Sequence, residues 1–375
     1  MSKTTAGSKA RHQAALRRLI EEARRNSESR SAARRHHLVP EFYLKHWADN
    51  GKIRVTNVDE SRSWVTTPNK AAFETDFYRV ECPDVDPEEV PPLLFETALS
   101  KIGQWGAECI NATVPNPDAR FDDEERVLFS LYMAMQYVRG RHFRAVARAS
   151  ATDHFKLGYG QITEEGIRDV LQQKGLEATE ENMSRFRRFV DDLDREDRTL
   201  SPTKASLLGI SGQMVSDIGF YLFERGWHIY SVPPILVTCD EPVIPVPGPP
   251  HPRWERGGIA DAGVVLFPLT PSLLLAMFDH RKAYPQPPYA LSYADLADVN
   301  REIVGASSAY AFERPARNTA VALQVPKARE PISRTIAPTD QDADQYLIRR
   351  HRPSRWANAV PAPPWPVERW FAERG

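Results

Sequence analysis

Hydrophobic and polar residues follow two different periods along this chain, and the change of period divides it into sections. Between about residues 52 and 80, Ile53 and Val55 precede a polar turn, and Trp64 and Val65 follow it. This spacing predicts two short strands joined as a hairpin. In about residues 226–312, short apolar runs bounded by proline and glycine predict further strands in antiparallel pairing. These runs are Trp227–Ser231, Ile235–Thr238, Val264–Pro268, Leu273–Phe278 and a last one near residues 308–312.

The section between these strands has the period of an α-helix. Apolar residues recur every three or four positions in about residues 91–225, and acidic residues 122–125 open one of the strongest helical runs. A further helix is predicted near residues 292–305. Because strands and helices are clustered along the chain, the pattern predicts an α+β fold. In this fold, short antiparallel strands from two sections (about 52–80 and 226–312) pack with a central group of helices (about 91–225).

Charge and proline content set the two ends apart from this body. Residues 1–35 contain ten lysine or arginine residues and three glutamates, a net charge of +7, and predict a flexible basic arm. Residues 314–375 become polar and then rich in proline and tryptophan. We expect this tail to be extended and to dock on the body, because exposed indoles leave apolar area in water. The predicted division is therefore arm 1–35, α+β domain 36–313 and tail 314–375.

The composition of the chain limits which cellular compartment and which binding partners we expect. The whole chain of 375 residues has a formal net charge of -1, so a nucleic-acid partner would have to be met by a local patch, for which the basic arm is the candidate. Three separated cysteines outside any C-x-x-C pair favour a reducing compartment. The sequence has no secretory signal and no apolar stretch long enough to cross a bilayer, which predicts a cytoplasmic protein without membrane insertion.

Several familiar catalytic motifs are missing from the sequence. It contains no phosphate loop of the G-x-x-x-x-G-K-[ST] type, no G-x-G-x-x-G, no H-E-x-x-H and no G-x-S-x-G. Nucleotide hydrolysis, nicotinamide redox chemistry and serine hydrolysis by their common routes are therefore disfavoured. No internal repeat is visible.

Segments spread over most of the body nevertheless share one family pattern. The pattern comprises residues 36–47 (HHLVPEFYLKHW), Lys52–Val55, Glu74 with Phe77–Tyr78, Phe95–Glu96 with Leu99, Gln136 with Arg139, Thr238–Val243, Phe267–Pro271 and Asn300. In this order they resemble the bacterial domain-of-unknown-function 4238 family over about residues 36–313. The resemblance implies a common architecture for that stretch. It brings no activity with it.

Three residues have the chemistry of catalytic groups or metal ligands. His37 lies just before a predicted helix, where the dipole favours a neutral imidazole that could accept a proton or bind a metal. Asp240 is predicted at the end of a buried strand, and Glu74 could reach it if the two β sections pack together. His37 and Asp240 each have a structural alternative: the histidine could cap the helix, and an aspartate before x-Pro commonly forms a side-chain turn.

Three further residues could bind a substrate. Gln136 and Arg139 lie three positions apart on one predicted helix, so they could present an amide and a guanidinium together to an anion. Asn300, on the late helix, could orient a ligand or cap a neighbouring turn. The alternative for Arg139 is a buried ion pair with Glu96 or Asp240.

Two hypotheses for the function follow. In the first, the chain is a hydrolase acting on an anionic phosphoester or nucleic-acid substrate, with His37, Glu74 and Asp240 as catalytic groups that could hold a divalent metal ion. Gln136, Arg139 and Asn300 would then bind the substrate. In the second, the chain is a non-catalytic interaction protein, such as a defence or regulatory component, whose polar cluster is structural. Whether the named side chains converge decides between them.

Overall fold

A computed structural model describes the chain at residues 10–11, 13–14, 17–18, 21, 35–71, 73–75, 94–118, 121–147, 162–173, 175–194, 204–279, 289–330, 332–336, 347–351 and 353–371. Within these residues the predicted α+β fold is confirmed. Strands are clustered in two sections of the sequence, and the long helices between residues 94 and 223 separate these sections. In the basic arm, residues 10–11, 13–14, 17–18 and 21 are helical.

The strands form two antiparallel sheets of four strands and two isolated pairs. In chain order they are β1 (Arg35–His37), β2 (Ile53–Asn57), β3 (Arg62–Thr66), β4 (Phe73–Thr75), β5 (Gly226–Ser231), β6 (Thr238–Cys239), β7 (Ile244–Val246), β8 (Val264–Thr270), β9 (Leu273–Phe278), β10 (Tyr310–Glu313), β11 (Ile332–Ile336) and β12 (Leu347–His351). The first sheet has the order β3-β2-β10-β6 and the second β5-β9-β8-β7, while β1 pairs with β4 and β11 with β12.

The labelled helices are α1 (Glu41–Leu44), α2 (Leu94–Thr113), α3 (Asp123–Val138), α4 (Glu164–Gln173), α5 (Glu180–Asp194), α6 (Lys204–Phe223), α7 (Tyr293–Ala306) and α8 (Thr319–Ala322). Residues 141–147 are also helical. Single 3-10 turns lie at Lys45–Trp47, Pro68–Lys70, Arg355–Asn358 and Glu368–Phe371. Helix α3 packs against both α2 and α6.

The second sheet separates two hydrophobic clusters. Strands β8 and β9 are apolar at almost every position and buried along their whole length, so both faces of the sheet are covered. Phe267 and Leu275 pack with α3 in one cluster, and Leu266 and Leu274 pack with α7 in the other. This arrangement explains why β8 and β9 show a continuous apolar run and no polar alternation.

The first sheet joins the two predicted β sections. The hairpin β2–β3 has the predicted positions, with Val55 opposite Trp64, and its strand β2 also pairs with β10. Of the run predicted as a strand at Ile235–Thr238, only Thr238 pairs in the sheet, together with the next residue, Cys239. The reason is that the side chain of Asn300 takes the backbone groups of Val237 and Ile235 in place of a neighbouring strand.

The chain forms two compact units. The larger comprises Met1–Phe143, Lys204–Glu330 and Pro353–Gly375, and the smaller comprises Arg144–Thr203 and Pro331–Arg352. In the smaller unit, α4 and α5 pack through an apolar cluster of Ile167, Leu171 and Met183. In the larger unit, Trp356 and Trp370 from the C-terminal segment are buried in the cluster around α7. The predicted boundaries at residues 35 and 313 stay a prediction.

Candidate functional site

The carboxylate of Asp240 is buried and fully engaged by one loop. Asp240 directly follows β6, and only 3% of its surface is exposed. Its Oδ1 accepts a hydrogen bond from the backbone N–H of Ser308 at 2.8 Å, and its Oδ2 accepts from Ala309 at 2.9 Å and Tyr310 at 3.1 Å. The amides of Ser308 and Ala309 belong to the turn between α7 and β10, and Tyr310 is the first residue of β10. The side chain therefore replaces a missing stretch of backbone pairing.

This environment acts on the proton affinity of Asp240 in opposing directions. Burial and the adjacent charge of Glu241 raise the pKa of Asp240 from 3.8 to about 6. Hydrogen bonds from Ala309 and Ser308, and the charge of Arg141, lower the same pKa but do not cancel the increase. The charged carboxylate is thus retained at neutral pH at a cost in folding free energy.

Glu241 is the second member of this acidic pair and is held by groups from three other segments. Its Oε1 accepts from the backbone N–H of His142 at 2.7 Å and from the hydroxyl of Ser308. Its Oε2 accepts from Arg256 at 2.8 Å, and Arg256 also donates to the carbonyl of Ala306. The side chains of Glu241 and Arg256 are 9% and 12% exposed, so the ion pair is largely shielded from water. The ion pair connects the end of β6 to the loop that contains Arg256, and the bond from His142 connects it to the segment after α3.

The C-terminal end of α3 carries two of the predicted substrate-binding residues. Gln136 is 3% exposed, and its Oε1 has no hydrogen-bond partner among the described residues. One turn earlier, the hydroxyl of Tyr132 is likewise buried without a described partner. Arg139 is 8% exposed, and its Nε donates to the carbonyl of Leu38 at 2.5 Å. Arg139 is therefore attached to the residue that follows His37.

His37 and Glu74 are described only through their backbones. Both belong to the β1–β4 pair, in which His36 lies opposite Glu74 and His37 lies opposite Phe73. Their side chains lie outside the described residues, so the predicted metal and catalytic triad with Asp240 stays a prediction. Among the side chains that the structure describes, no group of three histidine, cysteine or acidic residues is arranged to hold a metal ion.

The side chain of Asn300 binds backbone groups of the segment that leads into β6. Its Oδ1 accepts from the N–H of Val237 at 3.0 Å, and its Nδ2 donates to the carbonyl of Ile235 at 3.0 Å. The residue is 2% exposed. The described bonds of Asn300 thus fix the approach to β6, while those of Asp240 fix the loop before β10, and the two side chains have no described partner in common.

The structure adds Arg256 and Ser308 to the polar cluster, and the sequence analysis had named neither. Arg256 lies in a loop rich in proline and glycine, and Ser308 lies between a helix and a strand. No periodicity marks either position. Only the rule that a buried carboxylate needs partners predicted that such groups had to exist somewhere in the chain.

The comparisons with known proteins give one positive result. Neither the curated proteins nor the solved structures gave a significant match. In the described part of the chain, no helix has both the length and the apolar character needed to span a membrane. A family model described as "Protein of unknown function (DUF4238)" matches residues 35–317, which is most of the chain and includes the acidic pair and the end of α3. The chain therefore belongs to the DUF4238 family.

Proposed function

We propose that this chain is a non-catalytic interaction protein, such as a defence or regulatory component, in which Asp240 and Glu241 are structural. The observation that carries the proposal is the set of three backbone N–H groups on the Asp240 carboxylate. A carboxylate offers about four lone-pair sites. With three of them taken by backbone amides and 3% of the residue exposed, little remains for a metal ion or a substrate proton.

Glu241 supports the same proposal. Its two oxygens accept from one backbone amide, one hydroxyl and one guanidinium, all of which are largely buried. A general base must accept a proton from a substrate within hydrogen-bonding distance. A carboxylate paired with Arg256 and enclosed in this way instead stabilises the junction of the three segments that it contacts.

The partner of this interaction protein would be a polyanion, and nucleic acid is the candidate. The basic arm of residues 1–35 has a net charge of +7 in a chain whose total charge is -1, so the cationic charge is concentrated in one segment. Such a segment releases counterions when it meets phosphates, which makes its binding depend strongly on salt.

Binding of the full chain to double-stranded DNA and to RNA, measured by fluorescence anisotropy over a salt series, tests this proposal. The matched variant lacks residues 1–34 and keeps Arg35, which belongs to β1. We expect the full chain to bind with an affinity that falls steeply with salt and the shortened chain to lose most of that affinity. Affinity that survives both the deletion and high salt would overturn the role of the arm.

A second candidate function is a hydrolase acting on an anionic phosphoester or nucleic-acid substrate. One observation favours it: the bond from Arg139 to Leu38 and the β1–β4 register bring the backbone of His37 and Glu74 near the end of α3, where Gln136 also lies. In this candidate, His37, Glu74 and Asp240 would act as catalytic groups that could hold a divalent metal ion. Gln136, Arg139 and Asn300 would bind the substrate.

The hydrolase candidate is tested by turnover of bis(p-nitrophenyl) phosphate with Mg²⁺ or Mn²⁺. Wild-type protein is compared with Glu74→Gln and with Glu60→Gln, an exposed carboxylate near the β2–β3 turn. Turnover that depends on the metal and is lost only in Glu74→Gln would support the hydrolase. Turnover that is absent, or equal in all three proteins, would rule out the hydrolase candidate.

A further inference from the structure

The loop of residues 307–310 is held from two sides at once. On one side, Asp240 accepts hydrogen bonds from the N–H groups of Ser308, Ala309 and Tyr310. On the other side, Arg355 donates to the carbonyls of Ser307 and Ser308 at 3.1–3.2 Å. The loop therefore depends on one carboxylate and one guanidinium that are more than a hundred residues apart in the sequence.

Arg355 is itself firmly fixed. It is 4% exposed, and its Nη1 donates to the carboxylate of Asp59 and to the carbonyl of Pro326 at 2.7 Å. It begins the 3-10 turn Arg355–Asn358, which is capped by the hydroxyl of Ser354. We call residues 353–359 the strap, because they cross the loop and bind it through this arginine.

The strap also shares a recess with the ion-pair partner of Glu241. Its residues Ser354 and Trp356 line a recess of about 30 Å³, together with Arg256, the ion-pair partner of Glu241. A space of this size holds one or two water molecules. Arg253 also lines the recess, and its Cζ atom lies 5.8 Å from the centre of the Trp356 ring. Lifting the strap would enlarge this recess on the side that faces Arg256.

We propose that the strap and the loop of residues 307–310 open together as one local unit, and that this opening is the step that exposes Asp240 and Glu241. The described bonds between the two segments run from Arg355 to the carbonyls of Ser307 and Ser308, and polar contacts to non-helical backbone open at lower free energy than packed helices. Opening the strap also withdraws Trp356 from the cluster around α7, which raises the free energy of this opening. The proposal goes beyond the proposed function, because it describes how the closed acidic pair becomes accessible, whichever use is made of it.

Native-state hydrogen exchange on the wild-type chain tests the coupling. With rising but non-denaturing denaturant, we expect the amides of Ser308, Ala309 and Tyr310 to exchange through the same opening as those of Ala357 and Ala359 in the strap. The amides of helix α3 should open only at higher free energy. If the loop amides exchange only with global unfolding, or with a free energy different from that of the strap, the proposal fails.

Two variants test whether Arg355 is the residue that keeps the loop of residues 307–310 closed. Arg355→Gln removes the charged bonds to the loop, whereas Arg369→Gln removes an exposed ion pair with Asp295 elsewhere in the C-terminal segment. We expect exchange at residues 308–310 to rise roughly tenfold to a hundredfold in Arg355→Gln and to stay unchanged in Arg369→Gln. Unchanged protection in a folded Arg355→Gln protein, or faster exchange of α3 by the same factor, would contradict the proposal. If this variant does not fold, the wild-type experiment decides.

Discussion

The two ends of helix α3 are held by different kinds of contact. At the N-terminal end, the Asp122 carboxylate accepts from the amides of Glu124 and Glu125, and the Glu125 carboxylate accepts from the amide of Asp122. All of these partners lie within three residues. At the C-terminal end, Arg139 binds Leu38, and the following segment binds Glu241 through the amide of His142. Those partners lie about a hundred residues away.

The N-terminal end of α3 is therefore held by local contacts, whereas the C-terminal end is held by tertiary contacts. The capping box is exposed and forms from a short sequence that any helix could carry. The distant contacts at the other end exist only after β6, the α7–β10 loop and the N-terminal segment have packed around the helix. A disruption at the first end should therefore remain small, whereas a disruption at the second should destabilise the whole unit.

The largest effect is expected for Glu241→Gln. The substitution keeps the shape but leaves the guanidinium of Arg256 without its counter-charge in a largely buried place. We expect a loss of about 3–5 kcal/mol in the free energy of unfolding, measured by denaturant titration. Glu255→Gln is the matched control, since that carboxylate is one-third exposed and lies 3.9 Å from the Nδ1 atom of His251. Equal, small losses in both variants would show that Glu241 contributes no more to stability than the partly exposed Glu255.

The second largest effect is expected in the pH dependence of the free energy of unfolding, to which Asp240 contributes. Its pKa of about 6 in the folded chain lies above the ordinary value of 3.8, so its contribution to stability is full below pH 3.8 and is lost as pH rises through 6. Relative to Asp240→Asn, wild-type protein should lose about 3 kcal/mol of unfolding free energy between about pH 3.5 and pH 7.5. A stability difference between the two proteins that is constant over this range would contradict the raised pKa.

A smaller effect is expected at the local end of α3. Asp122→Ala removes the acceptor of the capping box and should cost about 1 kcal/mol of unfolding free energy. Glu124→Ala, in the same turn but with a side chain outside the capping box, should cost only a few tenths of that amount. A loss in Asp122→Ala as large as that in Glu241→Gln would remove the contrast between the two ends.

The smallest effect is expected for deletion of residues 1–34. The described link between the arm and α3 is the Arg11–Asp123 ion pair, whose side chains are 61% and 75% exposed. Exposed pairs of this kind contribute little to stability. The thermal midpoint should therefore change by less than about 3 °C in scanning calorimetry. A large decrease would mean that the arm packs on the body and that the predicted boundary at residue 35 is misplaced.

The same contrast explains what the sequence could and could not predict. Helix α3 and its acidic start follow from local spacing, and the positions of Gln136 and Arg139 on one face follow from helical geometry. The partners of Asp240 could not be predicted, because they are backbone amides of a loop with no distinctive side chains. Arg355 could not be predicted either, since it lies outside the family pattern and reaches its loop only after the C-terminal segment has folded back.

The most direct test of the structural role of Asp240 is the thermal midpoint of wild-type and Asp240→Asn protein, each with and without millimolar Mn²⁺. A ligand that binds the folded state raises the midpoint by mass action. We predict that the substitution changes the midpoint in metal-free buffer and that Mn²⁺ shifts both proteins equally. An increase with Mn²⁺ in the wild-type protein that Asp240→Asn abolishes would contradict the account and make Asp240 a metal ligand.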